Sequence, residues 1–358
     1  MTEKLIFSTN NRTGESRYNR SSSNIQFKLE QELSSIYDNK KVCVSNSGMN
    51  ALDGLLHSIF IAKKWNPYNV ILGDEIYTDS TRLFRHFQLD YGVLKDITEV
   101  DITDDNKIMS TLSGYKDEPT IFFLESCSNP NGYIFNWELI PEMRKINKNL
   151  IIIVDNTWLT GLIFNPFKVG SDYVICSTTK YYSGSGCIGG FVVGNNMKVV
   201  SDWFRIHGAH VSPHNCKITL DGLRSLGERM SVKHTIPVAE YLEKHPKVLE
   251  CNYPILKSHK SHHLAVKYWN KNYVPSVLTF TLADMRIPET KNWLKQQTKF
   301  INFKTSYGGE DNRFDPWPGE IRTDNEHGRQ TKALIRLSVG YKEGDKLINK
   351  LTQVLQSL

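Results

Sequence analysis

The stretch IIIVDNTWLTGLIFNPFKVGSDYVICSTTK, residues 151–180, decides the fold. It opens with an unbroken apolar run, 151–154, that ends in Asp155. It closes with a second run, 173–176, that ends in Ser177-Thr178-Thr179-Lys180. Continuous apolar runs of this length read as strands covered on both faces. The spacing between them leaves room for one crossover, so Asp155 and Lys180 are expected at the same end of neighbouring strands. In open parallel sheets that end, just past the carboxyl termini, is where ligands bind.

Each polar group there has a plain reading and a chemical one. A carboxylate directly after a buried strand is costly unless a cation meets it. Asp155 is therefore a turn or cap residue, or the partner of a protonated ring nitrogen. Ser177 and Thr179 are two hydroxyls at alternate positions, able to share one phosphate. Lys180 is a surface-loop lysine, or an amine whose pKa desolvation lowers until it is a usable nucleophile and proton carrier.

Working outward, residues 41–44, 69–72, 120–124 and 191–193 read as further strands, and 51–64 and 137–148 as helices between them. This alternation predicts an α/β fold, a mostly parallel sheet flanked by helices. Residues 45–52, SNSGMNAL, place Gly48 and Met49 at a strand-to-helix junction. Backbone N–H groups at such a helix start can face an anion. After about residue 210 the pattern changes. Residues 219–244 read as helical, 274–282 and 333–339 as strands and 345–358 as a closing helix, together a smaller α+β domain. The organisation expected is an N-terminal arm, 1–24, a large domain, 25–210, and a C-terminal domain, 211–358. The arm ends in Ser23-x-x-Gln26, a capping-box spacing, with Phe27, Leu33 and Ile36 expected on one face of the helix that follows.

Composition narrows the classes. Lys and Arg exceed Asp and Glu by six in 358 residues, with no basic run, which speaks against nucleic acid. The six cysteines form no C-x-x-C pair, and no stretch has the length of a membrane span or a signal-peptide core. A reduced cytoplasmic compartment is the expectation. Gly184-x-Gly186-x-x-Gly189 has dinucleotide-motif spacing but is followed by the apolar FVVG, a strand where that motif needs a helix. His259, His262 and His263 have metal-like spacing without a further ligand, and no metal is expected.

Taken together, the strand-end residues supply what pyridoxal 5'-phosphate needs: phosphate donors, an acid for the ring nitrogen and a lysine. The chain resembles the Cys/Met-metabolism family of fold-type I pyridoxal-phosphate enzymes, which includes cystathionine γ-synthase, cystathionine γ- and β-lyases and methionine γ-lyase. The resemblance runs from about Tyr18 to the C-terminus and is densest over residues 154–184. It implies that Lys180 carries the cofactor as a Schiff base, that Asp155 pairs with the pyridine nitrogen, and that Ser177, Thr179, Gly48 and Met49 bind the phosphate. IYTDSTRLF, 76–84, is similar to the segment whose tyrosine stacks on the ring, which implies that Tyr77 stacks there and assists proton transfer. ESCSNPNG, 125–132, is similar to the segment lining the cofactor, here with Asn129. RYNR, 17–20, resembles a Y-x-R that reaches a neighbouring subunit's phosphate, so Tyr18 and Arg20 imply a homodimer or homotetramer. LIRLSVGYKEGDKLI, 334–348, implies that Arg336 holds the substrate carboxylate, with Ser306 near it.

The chain departs from the family after Gly309. Residues 310–328, EDNRFDPWPGEIRTDNEHG, replace a hydrophobic-glutamate-serine-leucine stretch and a proline-rich loop. Glu310, Asp311, Arg313 and Trp317 either face a different, more polar substrate side chain or belong to a rebuilt surface loop. The arm before Tyr18 is also short, and Ser183-Gly184-Ser185-Gly186 stands where the family has asparagine-glycine-histidine. The expected activity is a transsulfuration-type γ-replacement on a sulfur-containing or O-activated amino acid. A β- or γ-elimination lyase is the alternative. A cofactor-binding scaffold without catalysis is a third reading, opposed by the retention of Lys180, Asp155, Ser177, Thr179 and Arg336.

Overall fold

The computed structural model describes residues 23–62, 67–283, 287–317, 334–342 and 344–358. Tyr18 and Arg20 fall outside them. The chain divides into two compact units. The first takes residues up to Cys127 and then Phe135–Leu226; the second takes Ser128–Ile134 and Gly227–Leu358.

The first unit is built on a sheet of strands β1 (Lys41–Ser45), β2 (Tyr68–Gly73), β3 (Leu94–Val100), β4 (Thr120–Glu125), β5 (Leu150–Asp155), β6 (Tyr173–Ser177) and β7 (Gly190–Gly194). Their order is β1-β7-β6-β5-β4-β2-β3. Strands β2 to β6 pair in parallel, and β7 alone runs against its two neighbours, β1 and β6. Strands β2 and β4 are buried at every position, as the apolar runs at their centres, 70–72 and 121–124, require. Strand β3, LKDITEV, went unread because it is an edge strand with charged, outward-facing residues.

The helices of this unit are α1 (Asn24–Ile36), α2 (Gly48–Ala62), α3 (Thr78–Leu89), α4 (Asp105–Gly114), α5 (Ile140–Ile146), α6 (Thr160–Ile163), α7 (Lys198–Ile206) and α8 (Pro213–Arg224). The expected helix over 137–148 is a 3-10 turn, Trp137–Leu139, followed by α5. Helices α2, α3 and α7 cover one sheet face. Leu55, Leu56, Phe84 and Phe204 close there on Val70, Phe123, Ile153 and Ile175. Tyr37, Phe135, Trp137, Phe164 and Tyr182 are buried as well, and Tyr37 and Tyr182 meet Phe191 edge-on.

Ser23 caps α1, its hydroxyl accepting the Gln26 N–H at 3.2 Å. The reciprocal arm of the capping box is absent: Gln26 Oε1, the atom that would accept the Ser23 N–H, has no partner among the described residues, while Gln26 Nε2 donates to Glu30. Of the expected apolar face, Leu33 is buried and Ile36 half-buried, but Phe27 is 60% exposed, and Leu29 is buried in its stead. Leu29, Leu33 and Tyr37 follow one another at four-residue steps down the inner stripe, and Phe27, two positions earlier, stands about 200° round the helix.

The second unit holds α9 (Leu226–Ser231), which starts at the joint, then α10 (Thr235–Lys244), α11 (His262–Tyr268), α12 (Ile287–Gln296) and α13 (Leu347–Gln356). Its sheet orders β10 (Asn302–Phe303), β11 (Arg313–Trp317), β12 (Leu334–Ser338), β9 (Val277–Leu282) and β8 (Val248–Asn252), antiparallel except for β10 with β11. Its core joins Leu242, Tyr253, Phe280, Phe314, Ile335 and Leu351. The helical run expected over 219–244 is three helices. Pro213 opens the first behind its Ser212 cap, and Pro237 sits in the first turn of α10, the place in a helix where a missing N–H is harmless. The division between units falls after Leu226, later than residue 210, because α8 packs on α1 and so stays with the first unit.

Candidate active site

Register places the candidate residues of the first unit. Glu125 pairs with Asp155 across β4 and β5, and Asp155 pairs with Ile175 across β5 and β6. Register partners in parallel strands point to the same face, and alternation brings Ser177 back to that face two residues on. Gly190, at the start of the reversed β7, pairs with both Ser177 and Ser45. The ends of β1, β4, β5 and β6 and the beginning of β7 therefore share one edge, and α2 starts above it.

The approach there is close enough to demand glycine. A Cβ on Gly48 would lie 3.0 Å from the Ser177 Cβ, and one on Gly190 would lie 2.4 Å from Ser47 O and 2.5 Å from Gly48 N. Ser47 Oγ accepts the Asn50 N–H at 3.0 Å. The N–H groups of Gly48 and Met49, at the start of the fifteen-residue α2, have no acceptor in the described chain. Ser177 Oγ and Thr179 Oγ1 both reach the Gly189 carbonyl oxygen, at 3.5 and 3.3 Å. Two hydroxyls and two orphan helix N–H groups thus gather around the Gly48–Ser177 contact, a donor set suited to a phosphate.

Asp155 is half-buried at the end of β5. Its Oδ1 accepts the Thr157 N–H at 2.9 Å. Burial raises its carboxyl above the ordinary range, against that hydrogen bond and the nearby charge of Lys180, which lower it. A carboxylate held under strain of desolvation fits a cationic partner, which would relieve the cost. Lys180 follows in the turn after β6. That turn is closed by backbone bonds from Thr178 N to Gly189 O, Ser183 N to Thr178 O and Ser185 N to Lys180 O.

Thr157 and Glu125 were not singled out from sequence. Thr157 Oγ1 accepts the Ser177 N–H at 2.8 Å while its own N–H goes to Asp155, so it ties Asp155 to the end of β6. Glu125 accepts the Tyr77 N–H at 2.6 Å and fixes that residue at the head of α3. The signal for both was position, one strand end beside another. Tyr77 itself is 45% exposed, with its hydroxyl donating to Asp79 at 3.0 Å.

Behind this edge, Asn156 Nδ2 donates to Tyr37 Oη and to Phe164 O. Tyr37 Oη also meets Tyr182 Oη at 2.9 Å and Cys176 Sγ at 3.2 Å. Burial pushes Tyr37, Tyr182 and Cys176 up, so all three stay protonated and neutral.

The second unit holds Asn129, Ser306 and Arg336. Arg336 is 5% exposed on β12, donating from Nη1 to Asn129 Oδ1 at 3.1 Å and from Nη2 to the Asp315 carboxylate. Ser306 takes a left-handed backbone, φ 78°. Of the departing segment, Arg313–Trp317 is β11 inside the sheet, so that part is no free loop. Residues 318–333 lie outside the described residues. Glu310 pairs with Lys342. His259 Nε2 donates to Asn131 O and its Nδ1 accepts the Ser261 N–H, so both ring nitrogens serve the fold. Gly184–Gly189 leads directly into β7, a strand, as its sequence requires.

The family model described as Cys/Met metabolism PLP-dependent enzyme matches residues 2–356. An L-methionine gamma-lyase of Fusobacterium nucleatum subsp. polymorphum is 28% identical over 348 residues, spanning 92% of this chain and 83% of the relative. A cystathionine beta-lyase of Coxiella burnetii is 30% identical over 335 residues, 90% of this chain and 83% of the relative. The crystal structure of cystathionine gamma synthase from Xanthomonas oryzae pv. oryzae in complex with cystathionine superposes with a TM-score of 0.86 at 24% identity, over 99% of this chain and 92% of that one, and shows the same fold. With the donor set around Gly48 and Ser177, the half-buried Asp155 and Lys180 gathered at one sheet edge, and with a match that runs almost end to end, the chain belongs to the Cys/Met-metabolism family of pyridoxal-phosphate-dependent enzymes.

Proposed function

We propose that the chain catalyses a transsulfuration-type reaction on a sulfur-containing or O-activated amino acid, with γ-replacement as its principal outcome. The observation that carries the reading is the convergence of Gly48, Ser177 and Thr179 with Asp155 and Lys180 at the strand ends of the first sheet. When bound, pyridoxal phosphate supplies a sink for the electrons left at the substrate α-carbon.

The chain's own residues do the rest. Ser177, Thr179 and the N–H groups of Gly48 and Met49 hold the phosphate. Asp155 keeps a proton on the ring nitrogen, and Thr157 keeps Asp155 in place. Lys180 is the attachment point and, once free as an amine, takes the α-proton and moves protons at Cβ. Tyr77 covers the ring and assists proton transfer, Asn129 lines the cofactor, and Arg336 and Ser306 hold the substrate carboxylate. Tyr18 and Arg20 reach the phosphate of a neighbouring subunit in a homodimer or homotetramer. The six cysteines are free thiols, which supports a reduced cytoplasmic setting. Among the described residues no helix is long and apolar enough to cross a membrane.

Elimination is a second reading, favoured by the lyase names of the sequence relatives. Both share removal of the α-proton and loss of the leaving group; they part on whether a thiol then adds. The test is to incubate the holoenzyme with cystathionine, methionine, cysteine, and O-acyl or O-phospho homoserine, each with and without cysteine. Thioether formed only when the thiol is present supports replacement, and ketoacid with ammonia supports elimination. Lys180→Ala should lower turnover roughly 10²–10⁴-fold. Unchanged turnover would overturn the role given to Lys180, and a wild-type holoenzyme that turns over none of these compounds would favour a scaffold.

A further inference from the structure

Arg336 is a buried charge, and a buried guanidinium must be partnered before any ligand arrives. The structure supplies the partner from the neighbouring strand. Asp315 on β11 is the register partner of Arg336 on β12, and its Oδ2 accepts from Arg336 Nη2. The same Oδ2 accepts the Thr305 hydroxyl at 2.9 Å. Asp315 is therefore held from two sides, by sheet register and by Thr305. On its other arm, Arg336 Nη1 is set by Asn129 Oδ1, and the guanidinium lies 5.7 Å from the centre of the Tyr307 ring.

We infer that Asp315 is the positioning residue of the substrate-carboxylate site, locking the Arg336 fork in the orientation that receives a carboxylate. The inference rests on the reading of Arg336 as the carboxylate holder. A guanidinium grips a carboxylate through two parallel N–H bonds, so its usefulness depends on the plane in which the fork is held. With one arm on Asp315, the other on Asn129 and a face toward Tyr307, that plane is fixed. Thr305 adjoins Ser306, so the same carboxylate also anchors the segment that brings Ser306 to its left-handed backbone. The pair leaves Arg336 nearly neutralised. Selection for a carboxylate at this site then comes from geometry more than from net charge.

The probes are glycine, the smallest amino acid, and methylamine, which lacks the carboxylate, each titrated into holoenzyme at one pH and read by the shift of the cofactor's visible absorption band. Wild type should bind glycine more tightly than methylamine. Asp315→Ala should weaken glycine at least tenfold and leave methylamine within about twofold. Asp315→Asn, which keeps the shape and one acceptor, should fall between and guards against a misfolded alanine variant. Thr305→Val should shift glycine in the same direction by less. Equal or tighter glycine binding in the Asp315 variants would make Asp315 a bystander or a competitor for Arg336 and overturn the inference. An equal loss for both probes would do so too, by showing a general structural defect. A wild type that does not prefer glycine would instead overturn the carboxylate reading of Arg336 itself, a result distinct from the other two.

Discussion

At Asp155 the sheet exposes a carboxyl to a cost that the cofactor-free chain cannot discharge. Its pKa is raised in the folded state by burial, so the ionised form is the disfavoured one. For a carboxyl whose folded pKa lies above its unfolded value, the penalty is present above the raised pKa and vanishes below the ordinary one, near about 4. Cofactor-free Asp155→Asn should therefore be more stable than cofactor-free wild type at neutral pH. The advantage should disappear as pH falls through the raised pKa, which denaturant unfolding across a pH series would measure. With cofactor added the order should reverse, because asparagine cannot hold the ring nitrogen's charge; a wild type that gains no more from the cofactor than the variant would refute the role. This residue was legible in sequence because a charge directly after four buried apolar positions asks for a partner. Thr157 was not legible, because its importance lies in the strand beside it.

At the scale of elements, the strand ends are laced together across the sheet. Thr157 Oγ1 takes the Ser177 N–H, so β5 and β6 are fastened where their ladder has run out. Thr157→Val leaves that N–H without its acceptor and should cost about 1–3 kcal/mol in unfolding free energy. It should also loosen cofactor binding if Ser177 binds the phosphate as proposed; unaltered cofactor affinity by equilibrium titration would show that the lacing serves stability alone. The inner strands were readable because burial on both faces leaves an unbroken apolar signature. Strand β3 hid behind its charges at the edge, and Phe27 on α1 is apolar yet outward-facing although Leu33 of the same expected face is buried. In both cases the side chain reports its own polarity while the neighbour decides its burial.

For the whole molecule, Gly48, Ser177, Thr179, Asp155 and Lys180 lie in the first unit and Arg336, Asn129 and Ser306 in the second. The fold class could be read because strand runs, their spacing and the polar residues that end them all agree. The division after Leu226 could not, because the affiliation of α8 is set by its contact with α1, far away in sequence. If Tyr18 and Arg20 act on a neighbouring subunit's phosphate, Lys180→Ala and Arg20→Ala should each be nearly inactive alone and should partly restore activity when co-refolded, as mixed oligomers rebuild one intact site. No recovery, with light scattering showing that mixed oligomers had formed, would place Arg20 in its own subunit's site.

The reversed direction of β7 has a consequence for the lysine. Because β6 and β7 are adjacent and opposed, the chain between Ser177 and Gly190 leaves the sheet and returns to it at one edge, with its interior cross-linked by main-chain bonds. The segment is a short loop anchored at both feet, and its chain entropy is surrendered when the sheet forms. Cofactor loading then has only a side chain to immobilise there. Association should consequently be governed by encounter and bond formation, with little lag for backbone ordering, and amide hydrogens across the loop should exchange slowly in the cofactor-free and loaded protein alike.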